Sequence, residues 1–475
     1  MASIKQNFVY NALLTISGYI FPLMVFPYVS RVLGVTNMGA CNFVDSIVDY
    51  FTIISMMGMN TLGIREIAKV RNNQQQLNKV FSELYSLNTI STIIAVGILY
   101  ISICYIPKFQ GYQLLFYLGT SKLFFNYMLI NWFFQGLEDF RFITIRYAVV
   151  KIMFVVSIFV FVHNSNDTIV YYLLVCLSWA LNGLINIIYA KNIVSFRFTF
   201  KIRKEYIISF IVLGCYWFMN SLYTTLNVAF LGFQTNDTEV GYYTSANKLL
   251  CIIIALFTTL SSVIVPRISS MIKKNDNIDE LKKIIEKSFS AVILFSIPLT
   301  IFVFYYSYNI ISIIFGAGFE GSIIPLQIMS LLFLFMGINQ ILVLQILMPL
   351  GKDKDILRNS TIAGLLGGGA VIVLVTFYGK IGASIELLIG EVILFIESLI
   401  SVRKYSKVEF PLCNILKHIL IIFPIFIIYI IINNYVSNLI MELLIGGICT
   451  LIYVTCTEIF VFKNIIIIDI INKLR

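Results

Sequence analysis

Long apolar stretches follow one another along nearly the whole chain, parted by short polar connections. A helix that crosses a bilayer needs about 20 mostly apolar residues. Windows of that kind fall at 8–32, 39–62, 81–106, 112–135, 142–162, 168–190, 206–232, 240–265, 288–306, 321–349, 358–377, 381–401, 414–433 and 438–460. The pattern predicts an all-α polytopic membrane protein of about 14 transmembrane helices. Spans 4, 5, 11 and 12 are interrupted by charges or glycines. The first stretch is read as a transmembrane helix and not as a cleaved leader. It is long, contains Pro22 and Pro27, and runs to Arg31 without a small-x-small cleavage pattern.

Composition supports that reading. Hydrophobic residues make up 59% of the chain and charged residues 12%, with a mean hydropathy of +0.90. A soluble domain carries about twice that share of charge, so lipid must cover the surface. The placement of the basic residues sets the topology. With the N-terminus inside, 28 of the 34 lysines and arginines fall in inner segments and only Arg31, Lys108 and Lys380 in outer ones. That bias predicts both termini in the cytoplasm. The longest inner connections are 63–80, 191–205 and 266–287. The run IKKNDNIDELKKIIEKSF reads as an amphipathic helix lying on the anionic inner leaflet.

The net charge of +10 does not point to nucleic acid, because the charges sit in short loops and not on one basic face. The eight cysteines are dispersed, with no CxxC pair. His163 and His418 stand apart near helix ends, so no metal site is expected. No GxxxxGK[ST] loop is present, which argues against ATP drive in this chain. No catalytic residue and no cofactor are predicted.

A weak repeat runs through the sequence. Gly34, Thr36, Asn37 and Gly39 precede span 2, and Gly232, Thr235, Asn236 and Gly241 precede or open span 8. Spans 1–6 would then match spans 7–12, in one shared orientation. The predicted organisation is an N-lobe at 1–203, a C-lobe at 204–404 and a C-terminal helix pair at 405–475. Parallel repeats of this kind place a substrate site where the halves meet.

Ionisable groups in mid-membrane are functional hypotheses by default. Asn42, Asp45 and Asp49 are spaced i, i+3, i+7 and share one face of span 2. That face lines a cavity or is neutralised by a neighbouring helix. Lys122 lies near the centre of span 4, with Asn126 a turn on, too deep to snorkel easily. Lys151 is nearer a span end and could snorkel. Lys248, beside Thr244 and Asn247, is read as cavity-lining, with a structural Asp–Lys bridge as the alternative. Arg31 is a functional cation or an interfacial anchor. Asn220, Tyr223 and Asn227 share a face of span 7, and Glu391 is the most central acid of span 12.

Several stretches resemble one family. They are FPYVSRVLG at 26–34, GIREIAKVR at 63–71, WFFQGLE at 132–138, GYYTSANKL at 241–249 with PRIS at 266–269, and PLGKDK at 349–354. They are similar to the bacterial polysaccharide flippases of Wzx type, in the multidrug/oligosaccharidyl-lipid/polysaccharide exporter superfamily. The matches run in order to about residue 400. The resemblance implies a two-lobed, fourteen-helix fold in the bacterial inner membrane. It implies a substrate of undecaprenyl-pyrophosphate-linked oligosaccharide, moved from the cytoplasmic to the periplasmic leaflet by alternating access for surface polysaccharide such as O-antigen or capsule. Cationic side chains at the motif positions of Lys248 and Arg31 would engage the pyrophosphate. On physical grounds alone, outside any family motif, Lys122 could join Lys248 there, and Asp45 and Asp49 could couple a proton or sodium ion. Membrane lipids are partners, and polysaccharide polymerase and chain-length machinery are further partners that such a role would bring. A cation-coupled multidrug exporter of the same superfamily is the first rival. It would favour acids over bases in its cleft. A membrane polysaccharide polymerase or glycosyltransferase is the second, and it would need a sizeable outer loop.

Overall fold

The computed structural model describes residues 4–274, 278–405 and 410–462. Side chains at 4–9, 11–13, 15, 16, 19, 20, 216, 220, 222–224, 260, 262, 263, 266, 270, 273, 274, 278 and 279 are outside the description. The described residues contain helices and no strand. They form two compact units, residues 1–241 and 242–475.

The first unit holds α1 (Ile4–Met56), α2 (Met59–Val70), α3 (Gln74–Tyr105), α4 (Pro107–Gln110), α5 (Gln113–Tyr127), α6 (Asn131–Gly136), α7 (Phe140–Phe161), α8 (Thr168–Lys191), α9 (Lys204–Thr224) and α10 (Leu226–Gln234). It also takes in the first residues of α11 (Asp237–Lys274). The second unit continues with α12 (Ile278–Tyr305), α13 (Ser307–Ile314), α14 (Ile323–Ser330), α15 (Leu332–Asn339), a π-helical stretch (Gln340–Leu347), α16 (Asp353–Tyr405), α17 (Leu412–Ile422), α18 (Ile425–Tyr435) and α19 (Leu439–Phe460).

Each of the fourteen predicted windows falls on helix. Among the described residues eight helices are long and apolar enough to cross a membrane, and the bent pair Glu320–Ser330 and Leu332–Leu347 makes a ninth if it is one span. The protein is a multi-pass membrane protein. The boundaries differ from the expectation in two ways. Spans 1 and 2 follow one another without a loop in the stretch Ile4–Met56, as two helices that meet at a kink at Gly34, whose φ of 76° suits glycine alone. Spans 11 and 12 do the same about Gly379, with φ 54°. Conversely, span 4 breaks between α5 and α6, where Ile130 takes the left-handed conformation, and span 7 breaks at Thr225.

A second correction concerns the run expected to lie as a separate helix on the inner leaflet. Its residues up to Lys274 end α11, and those from Ile278 open α12. Ile285 and Phe289 are buried, so this part of the run extends the packed face of α12. Arg267 bridges to Glu280 at 3.1 Å. Nor does His418 stand apart. Its Nε2 lies 3.1 Å from Glu458, and its ring stacks on Phe462.

Two of the family-like stretches, 63–71 and 132–138, pack on each other. A Cβ on Gly63 would lie 2.4 Å from the Trp132 ring, and one on Gly136 would lie 2.7 Å from Ile67 Cβ. Each stretch thus supplies the small residue that receives the other's large one. Arg71 closes the pair on Glu138 at 2.6 Å. Around this contact Phe81, Tyr85, Trp132, Phe133 and Phe134 form the aromatic core of one end of the unit.

The connection 192–203 lies along α3 as an extended strap. Backbone N–H groups of Ser195, Arg197 and Thr199 donate to Asn78 Oδ1, Ser82 Oγ and Ser86 Oγ at 3.1, 3.1 and 3.0 Å. Two extended residues advance about 6.6 Å and four helical residues about 6 Å, so alternate amides meet every fourth side chain. Lys201 N–H donates to Thr199 Oγ1. Arg203 then anchors the end on Glu83 at 2.9 Å. Burial works against its charge, but the Glu83 hydrogen bond prevails and holds the guanidinium above its usual pKa.

The first residues of α11 meet α1 with no side chain between them. A Cβ on Gly39 would lie 1.7 Å from the Asp237 carbonyl oxygen, and one on Gly241 would lie 2.3 Å from that of Val35. Thr36 and Thr238 share a hydroxyl hydrogen bond of 2.9 Å at the same crossing. Tyr112 Oη donates to Asp237 Oδ1 at 2.6 Å and Lys108 Nζ to the Thr235 carbonyl at 3.2 Å, which pins this corner.

Candidate functional site

Within the first unit the polar residues of three helices converge. Asp45 and Asp49 are four residues apart on α1, hence one turn apart on one face. Lys122 faces them from α5. Its Nζ donates to Asp45 Oδ1 at 2.9 Å and to Asp49 Oδ1 at 3.3 Å. Tyr172 of α8 donates its hydroxyl to the same Asp45 oxygen at 2.7 Å. The Trp179 ring lies 5.4 Å from the ammonium, in reach of a cation–π contact.

The approach depends on Gly119, three residues before Lys122. A Cβ there would lie 2.7 Å from Val48 Cγ2 and 3.1 Å from Tyr172 Oη. Its absence lets α5 come down on α1 far enough for a lysine to reach both acids.

The cluster is asymmetric. The Lys122 side chain is 7% exposed, that of Asp45 30% and that of Asp49 50%. The ammonium is therefore inside and the carboxylates are on the open side. Fully ionised, the three groups sum to one negative charge. An anion arriving from the open side meets Asp49 first. This geometry places Lys122 with the carboxylates and does not present it to a pyrophosphate. What the cluster can do chemically is bind a proton or a cation on its open edge.

The other predicted residues are placed as follows. Asn42, a turn before Asp45, is half-buried, and Asn126, a turn beyond Lys122, is buried. Lys151 on α7 holds its ammonium over the Tyr147 and Phe154 rings at 5.6 and 5.2 Å. Arg31 is exposed on α1, just before the Gly34 kink. Asn227 is fully buried on α10. The side chains of Asn220 and Tyr223 lie outside the described residues. Lys248 and Glu391 belong to the second unit, on α11 and α16. Lys248 is half-buried. Glu391 is buried and accepts from Asn339 Nδ2 at 2.7 Å.

Sequence reasoning missed the contribution of α8. Tyr172, Cys176, Trp179, Asn182 and Asn186 recur at spacings of three and four, a polar stripe down one face of an otherwise apolar helix. That period was available as a signal. Its lower end holds Asn186, to which Arg146 of α7 donates.

The family described as polysaccharide biosynthesis protein matches residues 4–272. A relative in Escherichia coli (strain K12), named "Putative O-antigen transporter", is 24% identical over 402 residues, spanning 82% of this chain and 94% of the relative. Among solved structures, the lipid II flippase MurJ in an inward closed conformation superposes with a TM-score of 0.78 at 16% identity, over 95% of this chain and 99% of that one. An inward-facing multidrug resistance MATE family transporter of the MOP superfamily gives 0.64 at 13% identity, over 81% and 94%. These two likenesses establish the fold.

Proposed function

The chain belongs to the polysaccharide biosynthesis protein family, and on that premise we propose that it flips lipid-linked oligosaccharide repeat units across the bacterial inner membrane. The carrier is undecaprenyl pyrophosphate, and the direction is from the cytoplasmic to the periplasmic leaflet. The chain acts as fourteen crossings with both termini cytoplasmic. Its halves, divided by repeat and not by compactness, are 1–203 and 204–404, with 405–475 appended.

The observation that carries the reading is the Asp45–Lys122–Asp49 cluster. Three ionised side chains at membrane depth are expensive, and this one leaves carboxylate oxygen uncovered by protein. Such an arrangement serves passage of a polar head group better than it serves packing. The O-antigen transporter named above and the lipid II flippase with the same fold point to a lipid-borne head group. Lys248 and Arg31 are proposed to hold the pyrophosphate as charge-assisted pairs. Asp45 and Asp49 are proposed to take up the coupling proton or cation, with Lys122 setting their charge. An inside-negative potential also favours exporting an anion, by about 2.3 kcal/mol per charge per 100 mV. The role is transport and not catalysis.

The open edge of carboxylates favours one second reading, export of organic cations. The two are separated by one experiment. Deletion of the gene is expected to trap lipid-linked repeat units in the inner leaflet, and Lys248→Ala, expressed at normal level, is expected to reproduce the defect. Organic-cation resistance is expected to be unchanged in both strains. Normal surface polysaccharide in both, with lost cation resistance, would overturn the flippase reading in favour of the exporter.

A further inference from the structure

Lys151 stands at the middle of α7, which runs from Phe140 to Phe161, and not near a span end as the apolar pattern suggested. Either end of the helix is about 15 Å away or more. That is further than a lysine side chain reaches, so the ammonium cannot snorkel to water at a membrane face.

The helix has two open surfaces. Ile145, Val149, Ile152 and Val156 form an apolar stripe, each about half exposed, which is the lipid side. Tyr147, Lys151 and Phe154 are half-buried and lie roughly 130–170° round the helix from that stripe. Tyr147 faces α1, its Oη 3.9 Å from where a Cβ on Gly18 would stand. The same side closes again toward either end, where Ile143, Thr144, Val155 and Ile158 are buried. Lys151 is thus open toward the interior of the first unit and not toward lipid.

Its charge has no protein countercharge. Among the described residues no carboxylate oxygen lies within 4.0 Å of its ammonium, and no acceptor takes its N–H groups. The Tyr147 and Phe154 rings, 5.6 and 5.2 Å from it, return only part of the cost of taking an ammonium out of water. The two buried cations described in this unit are already engaged. Lys122 holds Asp45 and Asp49, and Arg146 donates to Asn186 and Asn131. The Tyr147 hydroxyl, beside Lys151, also has no hydrogen-bond partner among the described residues. An ammonium with a phenol donor next to it and no acid is completed by an anion that brings several oxygens, as a phosphate does.

We propose that Lys151, with Tyr147, is the contact of the first unit for a phosphate of the transported head group. The role rests on the flippase reading above, and adds to it a cation that lies outside the family-like stretches. The open edge of the Asp45–Lys122–Asp49 cluster repels an anion. Lys151 instead offers a positive charge at mid-membrane, where a head group in transit is furthest from either aqueous phase. The two rings hold the ammonium in place without neutralising it, so its charge stays available to a passing phosphate.

The test measures binding of undecaprenyl pyrophosphate to the full chain in phosphatidylcholine nanodiscs, with uncharged undecaprenol as the reference. The wild type is expected to prefer the pyrophosphate. Lys151→Gln is expected to weaken pyrophosphate binding about tenfold, the loss of one charge-assisted pair. It is expected to leave undecaprenol binding and the melting temperature unchanged. Lys151→Arg, which keeps the charge, is expected to hold affinity within about threefold of the wild type. Tyr147→Phe is expected to lower it about threefold. A wild-type preference that survives in Lys151→Gln would overturn this assignment alone. A wild type that shows no preference would sink the flippase reading and the assignment with it. A lower melting temperature in Lys151→Gln, with affinity kept, would make the lysine a distant countercharge of the acids and overturn the binding role. Inorganic pyrophosphate bound as tightly as the lipid, and lost in Lys151→Gln, would give the site to a soluble anion and overturn the proposal.

Discussion

Replacing Lys122 with methionine is expected to remove most of the folded protein, seen as a lower melting temperature and aggregation in detergent. The ammonium is almost wholly enclosed, and among the described residues it is the only basic partner for the charge of Asp45 and Asp49. Removing one member of a buried pair strands the other and costs about 3–5 kcal/mol. Asp49 is half open, so the lower end, about 3 kcal/mol, is the fitting figure. The prediction sharpens when the acids are neutralised too. Lys122→Met combined with Asp45→Asn and Asp49→Asn leaves no stranded charge and is expected to recover most of the loss. That recovered variant then tests the role of the cluster. If the cluster couples an ion, the triple variant folds but exports no repeat units. Full export by the triple variant would reduce the cluster to a structural clip. Failure of the triple variant to recover stability would show that charge compensation is not what Lys122 provides.

Gly39→Ala is expected to be strongly damaging, its added Cβ making the closest contact given for any glycine among the described residues. The added carbon would lie 1.7 Å from a backbone oxygen, which cannot rotate away as a side chain could. Overpacking costs about 1–3 kcal/mol where side chains can yield, and more where backbone must move. The Asp237 end is also held by Tyr112 and Lys108 and has little room to retreat. Gly241→Ala should behave alike, because its contact on Val35 is the counterpart of the first. By contrast Gly97→Ala, where an added Cβ meets nothing within 4 Å, should leave stability unchanged. Thermal melts of the three purified variants compare them directly, and a benign Gly39→Ala would refute the close crossing.

Much of this architecture was written in the apolar pattern, since hydropathy reports burial in lipid and every predicted window lands on helix. Helix periodicity also put Asn42, Asp45 and Asp49 on one face, because that relation is local. The partner was harder to see. Lys122 is 77 positions from Asp45, and only packing brings α5 onto α1. A cation in mid-span suggests a phosphate partner, and only packing shows that Lys122 is held by two acids. Arg146 was counted as one more inner-side charge, because the count cannot tell a cation that reaches water from one held back by Asn131 and Asn186. Gly34 and Gly379 were visible as glycines. Their positive φ, which lets two helices meet at a kink without a loop, is a property of the folded backbone and not of composition.

The strap along α3 has a consequence for solvent deuterium. A segment with no helix and no sheet ordinarily loses its amide protons quickly and evenly. Here Ser195, Arg197, Thr199 and Lys201 each spend their N–H on a side-chain oxygen, while among the described residues no such partner takes those of Phe196, Phe198 and Phe200. Exchange along these seven residues should therefore alternate, slow and fast, with the rhythm of a β-strand whose neighbouring strand has been replaced by the hydroxyls and amide of a helix.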